Sequence, residues 1–352
     1  MKTNQFLPIN KEDMISRGWD SVDFIFLTGD AYVDHPSFGV SIITRVLENA
    51  GYKVGVISQP DWKRNDSFKT LGKPRLGFFV SSGNIDSMVA HYTVAKKKRS
   101  TDAYSPGGKM GLRPDRAVIV YCQKIREIYG DIPIIIGGLE ASLRRFAHYD
   151  YWDDKIKPSI LFESGADLIT FGMGERQTVQ IANRLNNGDD IKTITDIKGT
   201  CYAVPVTKTP YKGIECPSFD NVVNSKKEYA ISCRIQQDEQ DHIRGKVIKQ
   251  RHGKMMLVQN QPMEPLTTEE LDNVYSLPYM RTYHPVYKKD GGVPGILEVQ
   301  FSITHNRGCF GACNFCSIAF HQGRYVTCRS KESILKEAKL LTQMDGFKGY
   351  IH

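Results

Sequence analysis

Residues 22–50 read VDFIFLTGDAYVDHPSFGVSIITRVLENA, and this stretch decides the fold class. Val22 to Leu27 is a nearly continuous apolar run, the pattern of a strand buried on both faces, where polar alternation is lost. Thr28 to Gly39 is rich in Gly, Asp and Pro and reads as a loop. Val40, Ile42, Ile43, Val46, Leu47 and Ala50 then recur at helical spacing, and Gly51 stops the helix.

The same text recurs outward from this unit. Val54 to Ile57, Leu76 to Val80, Ile132 to Ile136 and Leu168 to Phe171 are further strand candidates, with helical stretches between several of them. Residues 1–205 are therefore expected to form an α/β domain, a Rossmann-like parallel sheet. Ligands of such sheets sit beyond the carboxyl ends of the strands. That directs attention to Thr28–Gly39, Gly137-Gly138 and Gly172-Met173-Gly174-Glu175, although tight turns are the commoner reason for glycine in such places.

Residues 206–295 read as a connector. A polar helix is expected over Asn224–Asp241, and Lys246–Gln250 and Met255–Gln259 flank His252-Gly253 as a hairpin. Thr267 and Glu270 have capping-box spacing ahead of Leu271 and Val274, and a Pro-, Tyr- and His-rich tract follows from Pro278 to Pro294. His284 in that tract is read as an ordinary connector histidine. In residues 296–352, Ile296–Thr304 is expected as a strand, Ile334, Leu335, Ala338, Leu341 and Met344 as a helix face, and Phe347–Ile351 as the start of another strand.

Composition fits a folded protein: of 352 residues, 40% are hydrophobic and 24% charged, which excludes wholesale disorder and collagen-like structure. No run reaches the 18 or so apolar residues of a membrane span, and the N-terminal text lacks the apolar core of a signal peptide, so a cytoplasmic protein without a membrane partner is expected. Net charge is +8. The densest run, Lys96 to Arg99, lies beside Lys109, Arg113 and Arg116; a nucleic-acid patch is one reading and a solvated loop the preferred one, because Thr101–Gly111 carries little apolar periodicity.

Eight cysteines are too sparse for a disulfide framework. Cys122, Cys201, Cys216, Cys233 and Cys328 are scattered, whereas Cys309, Cys313 and Cys316 fall in His305-Asn-Arg-Gly-Cys-Phe-Gly-Ala-Cys-Asn-Phe-Cys316, with spacing CxxxCxxC. Thiolates bind iron strongly, and Gly308 and Gly311 let a short loop bend around a compact cluster. Three ligands leave one iron of a 4Fe-4S cluster open. The competing reading is structural zinc, completed by His305, His321 or Cys328, but zinc sites usually present two separated pairs. Inert core thiols fit the loop-like text less well. His305, Arg307, His321 and Arg324 flank the loop, and packing and solvation are their preferred roles.

The CxxxCxφC text resembles the radical S-adenosylmethionine (SAM) superfamily, with Phe315 as the aromatic residue before the last cysteine. The resemblance implies that Cys309, Cys313 and Cys316 hold a 4Fe-4S cluster, that SAM chelates its fourth iron, and that Phe315 lies against the adenine. It implies reductive cleavage of SAM to a 5′-deoxyadenosyl radical, with an electron donor such as flavodoxin or ferredoxin as partner. The chain as a whole is similar to the YgiQ-type radical SAM proteins through residues 6–39, 134–154, 241–254 and 305–324, the last reading HNRGCFGACNFCSIAFHQGR. That resemblance carries no substrate, and catalytic residues stay unassigned.

The first half is also similar to the cobalamin-binding-type domain that precedes some radical SAM barrels. Its DxHxxG ligand pattern is absent, because Asp34 and His35 are adjacent and Phe38 stands where the glycine belongs, so cobalamin is not expected. Residues 296–352 supply only the start of a β/α barrel. A truncated frame, a fragment or half of a split protein is therefore expected, with a second chain as one way to complete the barrel and little SAM cleavage by this chain alone. The alternative reading of function is a zinc-stabilised module that binds RNA or protein.

Overall fold

The computed structural model describes residues 5–311, 313 and 315–352. Its frame is one sheet of strands β1 (Phe24–Thr28), β2 (Val54–Ser58), β3 (Gly77–Ser81), β4 (Ile134–Ile136), β5 (Leu168–Thr170), β6 (Thr200–Pro205), β7 (Ile214–Cys216), β8 (Ile248–His252) and β9 (Met255–Gln259). Across the sheet they run β7-β8-β9-β6-β5-β4-β3-β1-β2. The β2-β1-β3-β4-β5 half is parallel, as the apolar runs predict, with Phe24 opposite Val54 on one side and Gly77 on the other.

Both faces are covered. Phe24, Phe26, Val54, Val56 and Phe79 enter one core, while Ile25, Leu27, Phe78, Val80, Ile134 and Ile136 enter the other. Helices α1 (Gly39–Asn49) and α3 (Glu175–Asn186) bury Leu47, Ile181 and Ala182 in the first, and α2 (Ala117–Tyr129) buries Tyr121 and Ile125 in the second. Burying an aliphatic side chain the size of Leu47, Ile125 or Ile181 contributes about 1.5–3 kcal/mol.

The hairpin read as part of the connector joins the main sheet: β9 pairs antiparallel with β6, placing Leu257 opposite Ala203. The polar helix expected over Asn224–Asp241 is two helices, Phe219–Asn224 and α4 (Lys226–Asp238), because Ser225 turns extended and accepts the Glu228 N–H as an N-cap. The capping box at Thr267 and Glu270 forms as read and starts α5 (Thr268–Tyr275).

Ile296–Thr304 is not a strand. Pro294–Ile296 forms a 3₁₀ turn, Leu297 and Gln300 donate back to Pro294 O and Ile296 O at 3.0 and 2.8 Å, and the buried Ile296 packs three residues from Val299. The apolar spacing there is helical, which the β-rich composition masks. Phe347–Ile351 likewise forms no strand, yet His352 donates to Phe301 O at 3.0 Å and accepts from Ile303 N at 3.1 Å, the bond pattern of a parallel pair. Between these segments lie α6 (Ser317–Gln322) and α7 (Lys331–Thr342). Among the described residues no helix is long and apolar enough to cross a membrane.

Candidate functional site

A two-residue ladder closes the base of the cysteine loop: Asn306 and Arg307 pair antiparallel with Cys328 and Thr327. Gly308 follows at φ +86°, and a Cβ there would sit 2.0 Å from Tyr325 O, so the loop can leave the ladder in this direction only from glycine. Cys309 N then donates to Gly323 O at 3.2 Å, and Cys316 N to Cys313 O at 3.0 Å.

Cys309 and Cys313 are exposed and Cys316 is half-buried. A Cβ built on Gly311 would lie 3.4 Å from Cys309 Sγ and 3.8 Å from Cys313 Sγ, so these two sulfurs flank the same space, which the missing side chain keeps open. Phe310 and Phe315 stand beside them, 85% and 92% exposed. Among the described residues no three Cys, His, Asp or Glu side chains already converge as a metal-ligand set. The donor chemistry nevertheless fits an iron-sulfur cluster: three free thiols on a bent, solvent-facing loop.

The flanking residues have separate fates. His305 Nδ1 lies 3.1 Å from Asn306 Oδ1. His321 Nδ1 lies 3.0 Å from Ser142 Oγ, and burial, then the Arg145 charge, push its pKa down to about 4, so the ring is neutral. Arg324 lines a small pocket behind α6. Arg307 is buried: it pairs with Glu175, donates from Nε to Tyr275 OH at 3.2 Å and stacks on that ring at 5.2 Å. Glu175 holds it firmly protonated. The base of the cysteine loop is thus locked to the first residue of α3, in the glycine-rich loop after β5.

That lock borders a cleft of about 510 Å³ between the carboxyl ends of the parallel strands and α6. Ser81, Gly138 and Gly172 bring the strand ends to it, and Ser317, Ile318 and His321 supply the opposite wall. Sequence reasoning marks these strand-end loops and the cysteine loop separately; the structure brings them together. It could not foresee the Arg307–Glu175 pair, whose partners are 132 residues apart.

Asp34 and His35 are buried away from this cleft's lining. Asp34 pairs with Arg45 and accepts Met280 N at 3.1 Å, and His35 Nδ1 accepts Ser37 N at 3.1 Å. Asp30, Asp102 and Arg113 form a second buried set that pins the loop after β1. In the basic run, Lys96 donates to Trp152 O at 3.2 Å and lies 4.8 Å over Tyr151, while Arg116 pairs with Asp150 and Asp153.

A family model described as Radical SAM N-terminal matches residues 6–302. The chain belongs to the radical SAM N-terminal family. Among the relatives of this radical SAM N-terminal chain are UPF0313 proteins of Clostridium perfringens, 59% identical over 353 residues, and of Clostridium botulinum, 58% identical over 352. These alignments cover 100% of the chain and 53% and 55% of the relatives, so the chain spans about half the length of the curated relatives it matches. This agrees with the YgiQ-type resemblance.

Two solved structures of the radical SAM methyltransferase TsrM from Kitasatospora setae are also similar. One, with tryptophan and the SAM analogue aza-SAM bound, is 17% identical at a TM-score of 0.46; the other, with cobalamin and a [4Fe-4S] cluster bound, is 16% identical at 0.48. Each alignment covers 91% of this chain and 45% or 46% of TsrM.

Proposed function

We propose that the chain is the cluster-bearing part of a radical SAM enzyme, with Cys309, Cys313 and Cys316 as ligands of a 4Fe-4S cluster and SAM at its open iron. When bound, that cluster supplies the electron that cleaves SAM reductively to methionine and a 5′-deoxyadenosyl radical. The observation that carries the reading is local: within a family-matched chain, two of three free thiols flank one open space kept clear by Gly311.

The chain's own residues have defined parts in this reading. The three thiols bind as thiolates, and Gly308 sets the angle at which the loop leaves its ladder. Phe315, unpacked at 92% exposure, offers its ring to the adenine of SAM. The Arg307–Glu175 pair fixes the loop against the sheet, and the cleft behind it holds the substrate away from bulk water. The electron comes from a donor such as flavodoxin or ferredoxin.

Electron paramagnetic resonance of the anaerobically reconstituted and reduced chain tests the proposal. A reduced-cluster signal that changes shape on adding SAM is expected. A signal indifferent to SAM would leave an iron-sulfur protein without the proposed cosubstrate, and a chain that takes up zinc in place of iron would favour the binding module.

A further inference from the structure

The basic run of residues 96–99 is not the solvated loop that its composition suggests. Tyr92 bridges antiparallel to Lys98, Thr93 N donates to Lys97 O at 2.8 Å and Arg99 N to His91 O at 2.8 Å, so residues 91–99 form a hairpin. Lys96 sits in its turn at φ +58°, a left-handed conformation that a lysine keeps only where contacts hold it. A second hairpin supplies them. His148–Asp150 pairs antiparallel with Lys155–Lys157, and from its turn Tyr151 OH donates to Val94 O at 2.7 Å. Lys96 Nζ in return donates to Trp152 O at 3.2 Å and lies 4.8 Å over the Tyr151 ring.

Clamped together, the two hairpins form an exposed platform whose own carboxylates are engaged. Asp150 and Asp153 pair with Arg116, Asp153 also pairs with Lys157 at 2.7 Å, and Asp154 accepts the Tyr149 hydroxyl at 2.7 Å. Asp115, beside the first hairpin, holds His91 and Tyr92. Lys97, Lys98 and Lys155 are exposed, and among the described residues none of them lies within ion-pair distance of a carboxylate. Three cations are thus left facing water, in a chain that already carries a net charge of +8.

Rings stand among them. Tyr149 and Tyr151 are 45% and 41% exposed, and Tyr149 makes no ring–ring or cation–π contact among the described residues. Its hydroxyl is tied to Asp154 and its backbone N–H donates to Tyr229 OH at 3.3 Å, so the ring is held in place with nearly half of its surface open. Free cations alone would suit any polyanion. An ordered, unstacked tyrosine beside them suits a polyanion with flat apolar faces, which a single-stranded nucleic acid offers and a duplex or an acidic polypeptide does not. We propose that this platform binds single-stranded RNA or DNA, with phosphates on Lys97, Lys98 and Lys155 and a base stacked on Tyr149.

The platform contains no residue of the cysteine loop, so the test runs on the cluster-free chain and its outcome is independent of the radical SAM reading. Fluorescence anisotropy is followed with labelled oligouridylate and oligodeoxythymidylate of about twelve nucleotides, a duplex of equal length, and unlabelled polyglutamate as competitor, at several salt concentrations. Single strands are expected to bind at least about tenfold more tightly than duplex, and the tighter of the two names the ligand class. Replacing Lys97, Lys98 and Lys155 together by alanine should flatten the slope of log affinity against log salt by about 2, since each single-strand phosphate contact contributes about 0.7. Tyr149→Ala should weaken binding about tenfold at unchanged slope, and Tyr149→Phe, which keeps the ring, should not. No binding at low salt, or binding unchanged in the triple lysine variant, overturns the proposal. So does duplex binding as tight as single strand with Tyr149→Ala indifferent, the mark of a plain charge patch, and so does polyglutamate competing as well as the oligonucleotides, the mark of an acidic protein partner.

Discussion

Leu27 and Phe315 are both large and apolar, yet Leu27 is sealed in the sheet at 0% exposure and Phe315 stands almost free on the cysteine loop. The sheet spends its apolar residues on both of its faces and holds its loops with buried ion sets such as Asp30, Asp102 and Arg113. The cysteine loop holds itself by a short ladder, a few backbone bonds and one long-range pair, and leaves thiols and rings facing outward. The difference teaches that stability and chemistry are carried by separate residues here, so each should be removable without the other.

The largest expected effect breaks the comparison on its chemical side. Cys313→Ala should lower iron after anaerobic reconstitution from about four per chain to near zero, while the unfolding midpoint stays that of wild type. A matching loss of stability would show that the loop is part of the core.

Arg307→Met attacks the buried ion pair that links the two regions. It leaves Glu175 buried without a partner and should cost about 3–5 kcal/mol in urea unfolding, most of it restored by the double change Arg307→Met with Glu175→Leu. Restoration is the decisive outcome, because it separates an unpaired charge from simple loss of packing.

Acid sharpens the comparison on the sheet side. Burial lowers the pKa of His35 to about 3 and of His148, His252 and His321 to about 4, with Arg281, Arg144 and Arg145 adding to the effect at His35, His148 and His321. The unfolded chain binds those protons near 6.5, so this stability is complete above that pH and is lost as pH falls toward 4. Asp30, raised by burial to about 6, acts the other way: its contribution is lost as pH rises through 6. Each histidine costs about 1.4 kcal/mol over this range and Asp30 returns about 0.8, so the cluster-free chain should lose about 4–5 kcal/mol between pH 7.5 and 5.5 by urea titration.

The smallest effect on the fold belongs to Phe315→Ala. Its unfolding free energy should match wild type within about 0.5 kcal/mol, while SAM affinity of the reconstituted chain falls about tenfold, the loss of one base–aromatic stack.

Legibility in the sequence follows the same division. Strands β1 to β5 announce themselves because a doubly covered strand needs an unbroken apolar run, and the cysteine loop because thiol spacing is covalent information. The capping box at Thr267 and Glu270 is equally local. Ile296–Thr304 misleads because Ile296 and Val299 satisfy a turn as well as a strand. The joining of β9 to β6 and the Arg307–Glu175 lock depend on contacts between distant segments, which no short window contains.

The central claim is most directly tested by counting metal in chain purified and reconstituted without oxygen. About four irons and four sulfides per chain, lost together when any one of Cys309, Cys313 or Cys316 becomes alanine, is the predicted result. Zinc at one per chain, or iron retained after those substitutions, would contradict it.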